Sequence, residues 1–227
     1  MSDPPADKEA IRRRYLAVYS SNVADVLDTI GLPDQGIAPS FEPRPADVGK
    51  LAGWAFTIRG QMVAYAQVAG DRDKMLACEQ LQPGEVSVWS GNGEGICFFG
   101  ELIALGMKER GCVGALVDGG VRDVAWIGRH GFPVYARYRT PVQSIGRWKV
   151  NANDIAVDMP GATTRHVRVT PGDFVLGDED GCIIVPAAVV LEVLEKAEAL
   201  GTQEDAIRSA LNDGMTLDEA LNTFGHV

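Results

Sequence analysis

The sequence predicts an α/β fold in a single domain, and three observations lead there. Through the middle of the chain, short apolar runs of strand length alternate with segments whose apolar residues recur at helical spacing. That is the pattern of parallel strands joined by helices. After Tyr138 the pattern shifts to shorter alternating runs separated by turn residues, which adds strands. The chain has 227 residues, 46% hydrophobic and 23% charged, with no linker, repeat or low-complexity tract to divide it. That suits one compact unit with a substantial core.

The elements follow in order. Residues 1–7 are polar and proline-bearing and read as a frayed start; residues 1–20 together form an N-terminal helix or arm before a domain spanning 21–227. KEAIRRRYLAVYS (8–20) has helical spacing. SSNVADVLDTIGL (20–32) reads as a second helix, capped by Ser20, Ser21 or Asn22 and stopped by Gly31. Prolines and glycines over 33–50 predict an irregular loop. LAGWAFTIRG (51–60) is a strand, GDRDKMLACEQLQ (70–82) a helix, and EVSVWS (85–90) a strand entering the glycine-rich GNGEG. FFGELIALGMKERG (98–111) reads as one helix ending at Gly111, CVGALV (112–117) as a strand, VAWIGRHG (124–131) as a short helix and PVYARY (133–138) as a strand. RWKVNA, DIAVDM, HVRVTPGDFVLGD and GCIIVP supply later strands, with a turn at Asp180-Gly181. Residues 187–214 form a long helix or a broken pair, and TLDEALNTF (216–224) a last helical piece.

Charge and composition exclude several function classes. A formal net charge of −10 opposes a broad phosphate-binding face, so neither nucleic acid nor an anionic membrane is an expected partner. A small anion would need a local positive or metal-bearing pocket. Cys78, Cys97, Cys112 and Cys182 form no C-x-x-C pair and no zinc or disulfide framework. MSDPPADKEAIRRRY lacks the apolar stretch of a signal peptide, and no window of about 18 apolar residues could span a bilayer. A cytoplasmic protein with reduced thiols is expected.

Few stretches carry chemistry. GNGEG (91–95) has Ile96 where a dinucleotide loop needs its third glycine, and reads as a turn that could wall a site. GDEDGCIIVP misses the glycine and glutamate positions of a calcium loop. His130, His166 and His226 lack metal-ligand spacing, and no G-x-S-x-G elbow occurs. Among the lysines, Lys149 in GRWKV has the strand-like apolar setting that a Schiff-base lysine would need, a minor reading. Gly100-Glu101 falls at the first turn of a helix. Its free amides, such as those of Leu102 and Ile103, suit a carboxylate, while the stretch by itself reads first as Glu101 complementing the helix dipole. DGGVRD (118–123) is the most pointed signal. Gly119 and Gly120 allow a sharp turn and close approach of a ligand, Arg122 offers a fork for a carboxylate, and Asp123 an oxygen for a hard cation. A surface Arg–Asp pair after a turn is the equally weighted alternative.

These residues bring a family into view. NVADVLDTIGL, LAGWAFTIRG, FFGELIALGMKERGCVGALVDGGVRDV, TPVQSIGRWKV and VTPGDFVLGDEDGCIIVP resemble the 4-hydroxy-4-methyl-2-oxoglutarate / 4-carboxy-4-hydroxy-2-oxoadipate aldolases and their relative, the regulator of ribonuclease activity A. The resemblance runs from about residue 20 to 225, and GELIA followed by VDGGVRD is its most specific part. It implies an α/β sandwich of the swivelling, phosphohistidine-like type, assembled as a homotrimer or homohexamer with sites at subunit interfaces. It implies a divalent-metal lyase that releases pyruvate from 4-hydroxy-2-oxo acids through an enolate, with oxaloacetate decarboxylation alongside. Asp123 would bind Mg²⁺ or Mn²⁺ directly, and Glu101 would hold a metal-bound water. The amides of Leu102 and Ile103, after Gly100, would take the substrate carboxylate, and Arg122 the substrate oxygens. Glu204 of a neighbouring subunit, with Glu198 as the alternative, would hold a further water. The other function the resemblance offers is a non-catalytic, protein-binding regulator of an endoribonuclease. GNGEGICFF departs from the family's glycine- and aspartate-rich run, which bears on substrate choice, and Glu101 is longer than an aspartate there.

Overall fold

A computed structural model describes residues 8–226, so the frayed start expected over 1–7 lies outside the described residues. Arg12, Arg13 and Glu9 lie on the polar side of α1 (Lys8–Tyr15), while Ile11 and Tyr15 are buried. In α2 (Ser20–Thr29) Tyr19 is the N-cap and caps no amide with its side chain. The predicted caps fail because Ser20 is spent elsewhere: its amide and hydroxyl both bind Asp178, at 2.7 and 2.6 Å. Gly31, at φ +79°, ends that helix as expected.

A two-residue strand, β1 (Glu42–Pro43), interrupts the predicted loop. Then come β2 (Leu51–Met62), α3 (Arg72–Cys78) and β3 (Glu85–Ser90). The stretch predicted as one helix over 98–111 divides into β4 (Cys97–Phe99) and α4 (Glu101–Lys108). An apolar pair such as Phe98-Phe99 suits either state, and pairing of β4 with the next strand decides it. That strand, β5 (Gly114–Val121), continues through Asp118-Gly119-Gly120, so those glycines form no turn. The chain turns later, at Arg122-Asp123, before α5 (Val124–Arg129).

β6 (Val134–Arg139), β7 (Trp148–Asn153), β8 (Val157–Pro160) and β9 (His166–Val169) follow. β10 (Phe174–Asp178) and β11 (Gly181–Val185) form a hairpin across Glu179-Asp180, as the Asp-Gly signal predicted. A 3₁₀ turn leads into α6 (Val190–Asn212), one unbroken helix of 23 residues, and α7 (Leu217–Phe224) opens with a Thr216–Glu219 capping box.

The main sheet has the order β1-β6-β5-β3-β2-β10-β11, with β4 added to β5 and β7 to β2. β2, β3, β5 and β6 pair in parallel, as the alternating pattern required, and antiparallel strands extend both sides. The result is a single mixed α/β domain around a nearly closed, barrel-like sheet. β8 and β9 form a separate ribbon. α3, α4 and α5 cover a core built on Trp89, Phe98, Phe99 and Trp148. α1, α2 and α6 cover another on Trp54, Phe174 and Leu176, where Tyr15 stacks on Phe174 at 4.1 Å. No helix among the described residues is long and apolar enough to cross a membrane. Cys78, Cys97, Cys112 and Cys182 are free and buried.

Candidate active site

β4 and β5 lie side by side and parallel, pairing Cys97 with Gly120 and Phe99 with Val121. Their C-terminal ends therefore deliver two different turns to one place. β4 leads through Gly100 into α4, and β5 leads through Arg122-Asp123 into α5. Crevices beyond strand C-termini are the usual ligand sites of such sheets. The Arg122 amide donates to the Phe99 carbonyl at 3.0 Å, which locks the two exits together.

Asp123 adopts the left-handed conformation, φ +59° and ψ +31°, and caps none of the α5 amides. A non-glycine residue held there is strained, and such strain gathers at functional positions. Its side chain turns instead to α4, where Oδ2 accepts from the Glu101 amide at 3.0 Å. Arg122 Nε lies 3.4 Å from the same oxygen. Gly100, the α4 N-cap, has no side chain to satisfy the first turn. The first intrahelical bond runs from the Ala104 amide to the Gly100 carbonyl, 2.9 Å. Leu102 and Ile103 precede it, so their amides have no intrahelical acceptor, as at any helix start, and suit an anion. One carboxylate already occupies this helix terminus, and it is the chain's own Asp123.

Gly100, Leu102, Ile103, Arg122 and Asp123 line a cavity of about 210 Å³, together with Gln143 and Ser144. A more open depression of about 430 Å³ shares Arg122 and Asp123 and reaches Arg139 and Thr140. The pair thus stands between two concave surfaces, with side chains 42% and 38% exposed. Glu101 begins α4 beside them, half-buried, and its carboxylate takes no partner among the described residues.

The two glycines of DGGVRD serve packing. A Cβ at Gly119 would come within 2.7 Å of the Phe98 ring, and one at Gly120 within 2.5 Å of the Ile96 carbonyl. The aspartate before them is buried and structural: Asp118 accepts from the Asn92 amide at 2.9 Å and from Arg137 at 3.1 Å. GNGEG is held by these bonds and lines neither concave surface.

Sequence reasoning missed Lys74. It lines the same cavity from α3, only 5% exposed, and its ammonium binds the Phe98 carbonyl and, at 3.3 Å, Ser144 Oγ. Lys149, the lysine singled out from sequence, is exposed on β7. The signal was helical phase: Lys74 falls on the buried face with Ala77 and Cys78.

Glu204 and Glu198 lie elsewhere in the protomer. Glu204 accepts from Asn22 at 2.7 Å and pairs with Arg208 at 3.4 Å. One of its carboxylate oxygens, an Asp25 carboxylate oxygen and a His226 ring nitrogen lie within 4.8 Å of one another. Glu198 is held by Arg14 through two bonds of 2.8 and 2.6 Å, and this contact lowers its carboxyl below the usual range.

Residues 20–184 match the family model RraA-like, Aldolase/RraA. The chain belongs to the RraA-like family. It is 26% identical over 218 residues to the uncharacterized protein MJ0644 of Methanocaldococcus jannaschii, covering 95% of this chain and 97% of that protein. It is 31% identical over 152 residues to a Halalkalibacterium halodurans protein named "Putative 4-hydroxy-4-methyl-2-oxoglutarate aldolase", covering 66% of this chain and 70% of that one. The fold matches Streptomyces coelicolor RraAS2, described as an unusual member of the RNase ES inhibitor RraA protein family. The TM-score is 0.75 at 24% identity, covering 91% of this chain and 99% of that one. The sequence relatives thus include proteins named as putative aldolases, and the RraAS2 likeness shows the fold.

Proposed function

We propose that this RraA-like chain is a divalent-metal-dependent carbon–carbon lyase. It cleaves 4-hydroxy-2-oxo acids to pyruvate and a second oxo acid, and it decarboxylates oxaloacetate through the same pyruvate enolate. The observation that carries the reading is the convergence of Arg122, Asp123 and the amide end of α4 on one cavity.

The donor set fits Mg²⁺ or Mn²⁺. Asp123 Oδ2 is engaged by Glu101 N–H, whereas Oδ1 accepts nothing from the described residues and the carboxylate is partly exposed. Mg²⁺ keeps several waters and binds through one or two carboxylates plus substrate, so a single aspartate in a hydrated cavity is adequate. Asp123 would hold the ion and Glu101 would orient its waters; when bound, it would supply a Lewis acid at the substrate's oxo and carboxylate oxygens.

The chain's own groups do the rest. The Leu102 and Ile103 amides take the carboxylate at the positive end of α4. Arg122 sits where the 2-oxo oxygen gains charge, and losing one such preorganised donor costs about 10²–10³ in kcat. Glu101 organises a water that accepts the C4 hydroxyl proton. The C3–C4 bond then breaks, its electron pair moves into the enolate, and water protonates C3.

The working assembly would be a homotrimer or homohexamer on the swivelling-type sandwich, in which Glu204 of a neighbouring subunit would help hold the metal. Leu102, 77% exposed beside Met75 and Ile103, supports burial of this rim against another subunit. Four buried, unpaired cysteines support a reducing, cytoplasmic setting. The test is pyruvate formation from oxaloacetate with Mg²⁺ and then with EDTA, in wild type and Asp123→Ala. Turnover should require the metal and vanish in the folded variant. Full activity in Asp123→Ala would sink the assignment, and no metal-dependent pyruvate from folded wild type would turn the reading to the protein-binding regulator.

A further inference from the structure

Lys74 is a buried cation that makes no ion pair with the described residues. Its ammonium has the Phe98 carbonyl, Ser144 Oγ and the rings of Trp89 and Trp148, 5.3 and 6.0 Å away, as its surroundings. None of the ion pairs among the described residues includes it. Asp71, one helical turn earlier, spends Oδ1 on the Lys74 amide at 3.2 Å, and its buried Oδ2 has no partner. A buried charge is ordinarily paired, because desolvation is costly otherwise. Here the missing partner has an obvious place, since Lys74, Phe98 and Ser144 all line the cavity that holds Arg122.

We infer that Lys74 is a ligand-facing cation, and that a small carboxylate or enolate-like anion bound in this cavity completes its charge. The inference uses the cavity of the proposed lyase and does not depend on the bond cleavage. Three wall segments meet at this ammonium, namely α3, β4 and the stretch 143–145. An anion between Lys74 and Arg122 is thereby read from two sides.

Burial leaves its mark on the ammonium. Burial pushes Lys74 below the ordinary lysine range, against opposing pulls from Cys78, Asp71 and Cys97, while Arg122 pushes the same way as burial. These are the titratable groups that face it from α3, β4 and the end of β5. A bound anion favours the protonated form, so between the empty and filled pKa values binding must take up a proton.

The experiment titrates the metal-free protein, in EDTA, with oxalate by calorimetry. Two buffers of unlike ionisation enthalpy are used across about pH 7 to 10, the range below the ordinary lysine value. Wild type should bind with proton uptake toward the alkaline side. Lys74→Met should bind about tenfold more weakly, the loss of one charge-assisted contact, and take up no proton. Three results would overturn the inference: no oxalate binding by wild type, binding without proton uptake at any pH, or a folded Lys74→Met that binds as tightly as wild type. If Lys74→Met does not fold, proton uptake by wild type decides alone. Because neither metal nor turnover enters, the inference can stand with the lyase reading refuted, and fail with it upheld.

Discussion

Adding one methyl group at Gly100 should disable the site without unfolding the protein. Gly100 is extended, φ −158°, so an alanine there suffers no backbone strain. Its Cβ would meet Asp123 Oδ2 at 2.7 Å, Arg122 Cγ at 3.0 Å and Arg122 Nε at 3.3 Å. Ordinary contact requires the carboxylate to retreat by about 0.7 Å, which breaks the 3.0 Å bond to the Glu101 amide and displaces the guanidinium. Both side chains are more than a third exposed, so solvent screens the lost pair and the stability change should stay within about 1 kcal/mol. Catalysis is less forgiving, since misplacing catalytic groups by about 1 Å can cost about 10²-fold. The assay couples pyruvate release from oxaloacetate to a second, spectrophotometric reaction, with thermal unfolding measured on the same preparations. Gly100→Ala should lose about two orders of magnitude in kcat/KM at a nearly unchanged melting temperature. Wild-type turnover in a folded Gly100→Ala would show that the registration of Arg122 and Asp123 against α4 is irrelevant to the chemistry.

Two other perturbations address stability. Gly119→Ala drives a Cβ into the Phe98 ring, which stacks on Trp148 at 4.3 Å, so overpacking should cost about 1–3 kcal/mol, seen as a lower urea midpoint. Glu9 is held down to about 2 by Arg12, through bonds of 2.7 and 2.9 Å, and by Arg13. A depressed carboxyl stabilises above its ordinary value of 4.5, and that contribution is lost as pH falls toward about 2. Glu9→Gln should flatten this acid limb by a few tenths of a kcal/mol, a small effect because the pair is half-exposed; urea midpoints measured down to pH about 2.5 would read it, and an unchanged limb would refute the assignment.

What could be read from the sequence was local, and what could not was pairing across the sheet. EVSVWS matches β3 residue for residue because its pattern and its Pro83-Gly84 boundary are both local. CVGALV stopped four residues short of the end of β5 because Asp118 looks like a strand breaker. Its charge is tolerated through Arg137, on β6, and the Asn92 amide, neither nearby in sequence. Phe98-Phe99 went to the wrong element because only its register with Val121 distinguishes strand from helix. At the site, Gly100, Glu101, Leu102, Ile103, Arg122 and Asp123 were legible as two short motifs, and parallel pairing of β4 with β5 brings their ends together. Lys74 was hidden because a lysine in a helix normally marks the solvated face.

The charges on this cavity give the metal question its physical force. Arg122 and Lys74 face Asp123 and Asp71, so the formal charges on the wall cancel, and burial draws Lys74 toward its neutral form. The remaining surface carries a formal −10 and offers no long-range attraction. A doubly charged oxo acid therefore meets a neutral or slightly negative cavity. The α4 amides contribute roughly half a positive charge, shared with Asp123, which already occupies that terminus. Protein groups alone can orient such a ligand but supply little net charge to hold it. A divalent cation on Asp123 would reverse the sign of the cavity and attract the anion directly, while its charge, like that of Arg122, would disfavour the protonated form of Lys74. The proposed metal and Lys74 thus act on the same anion, and Lys74 can do so without the metal. Adding Mg²⁺ should strengthen anion binding more than the removal of Lys74 weakens it, and the two effects should be less than additive because each relieves the same shortage of positive charge.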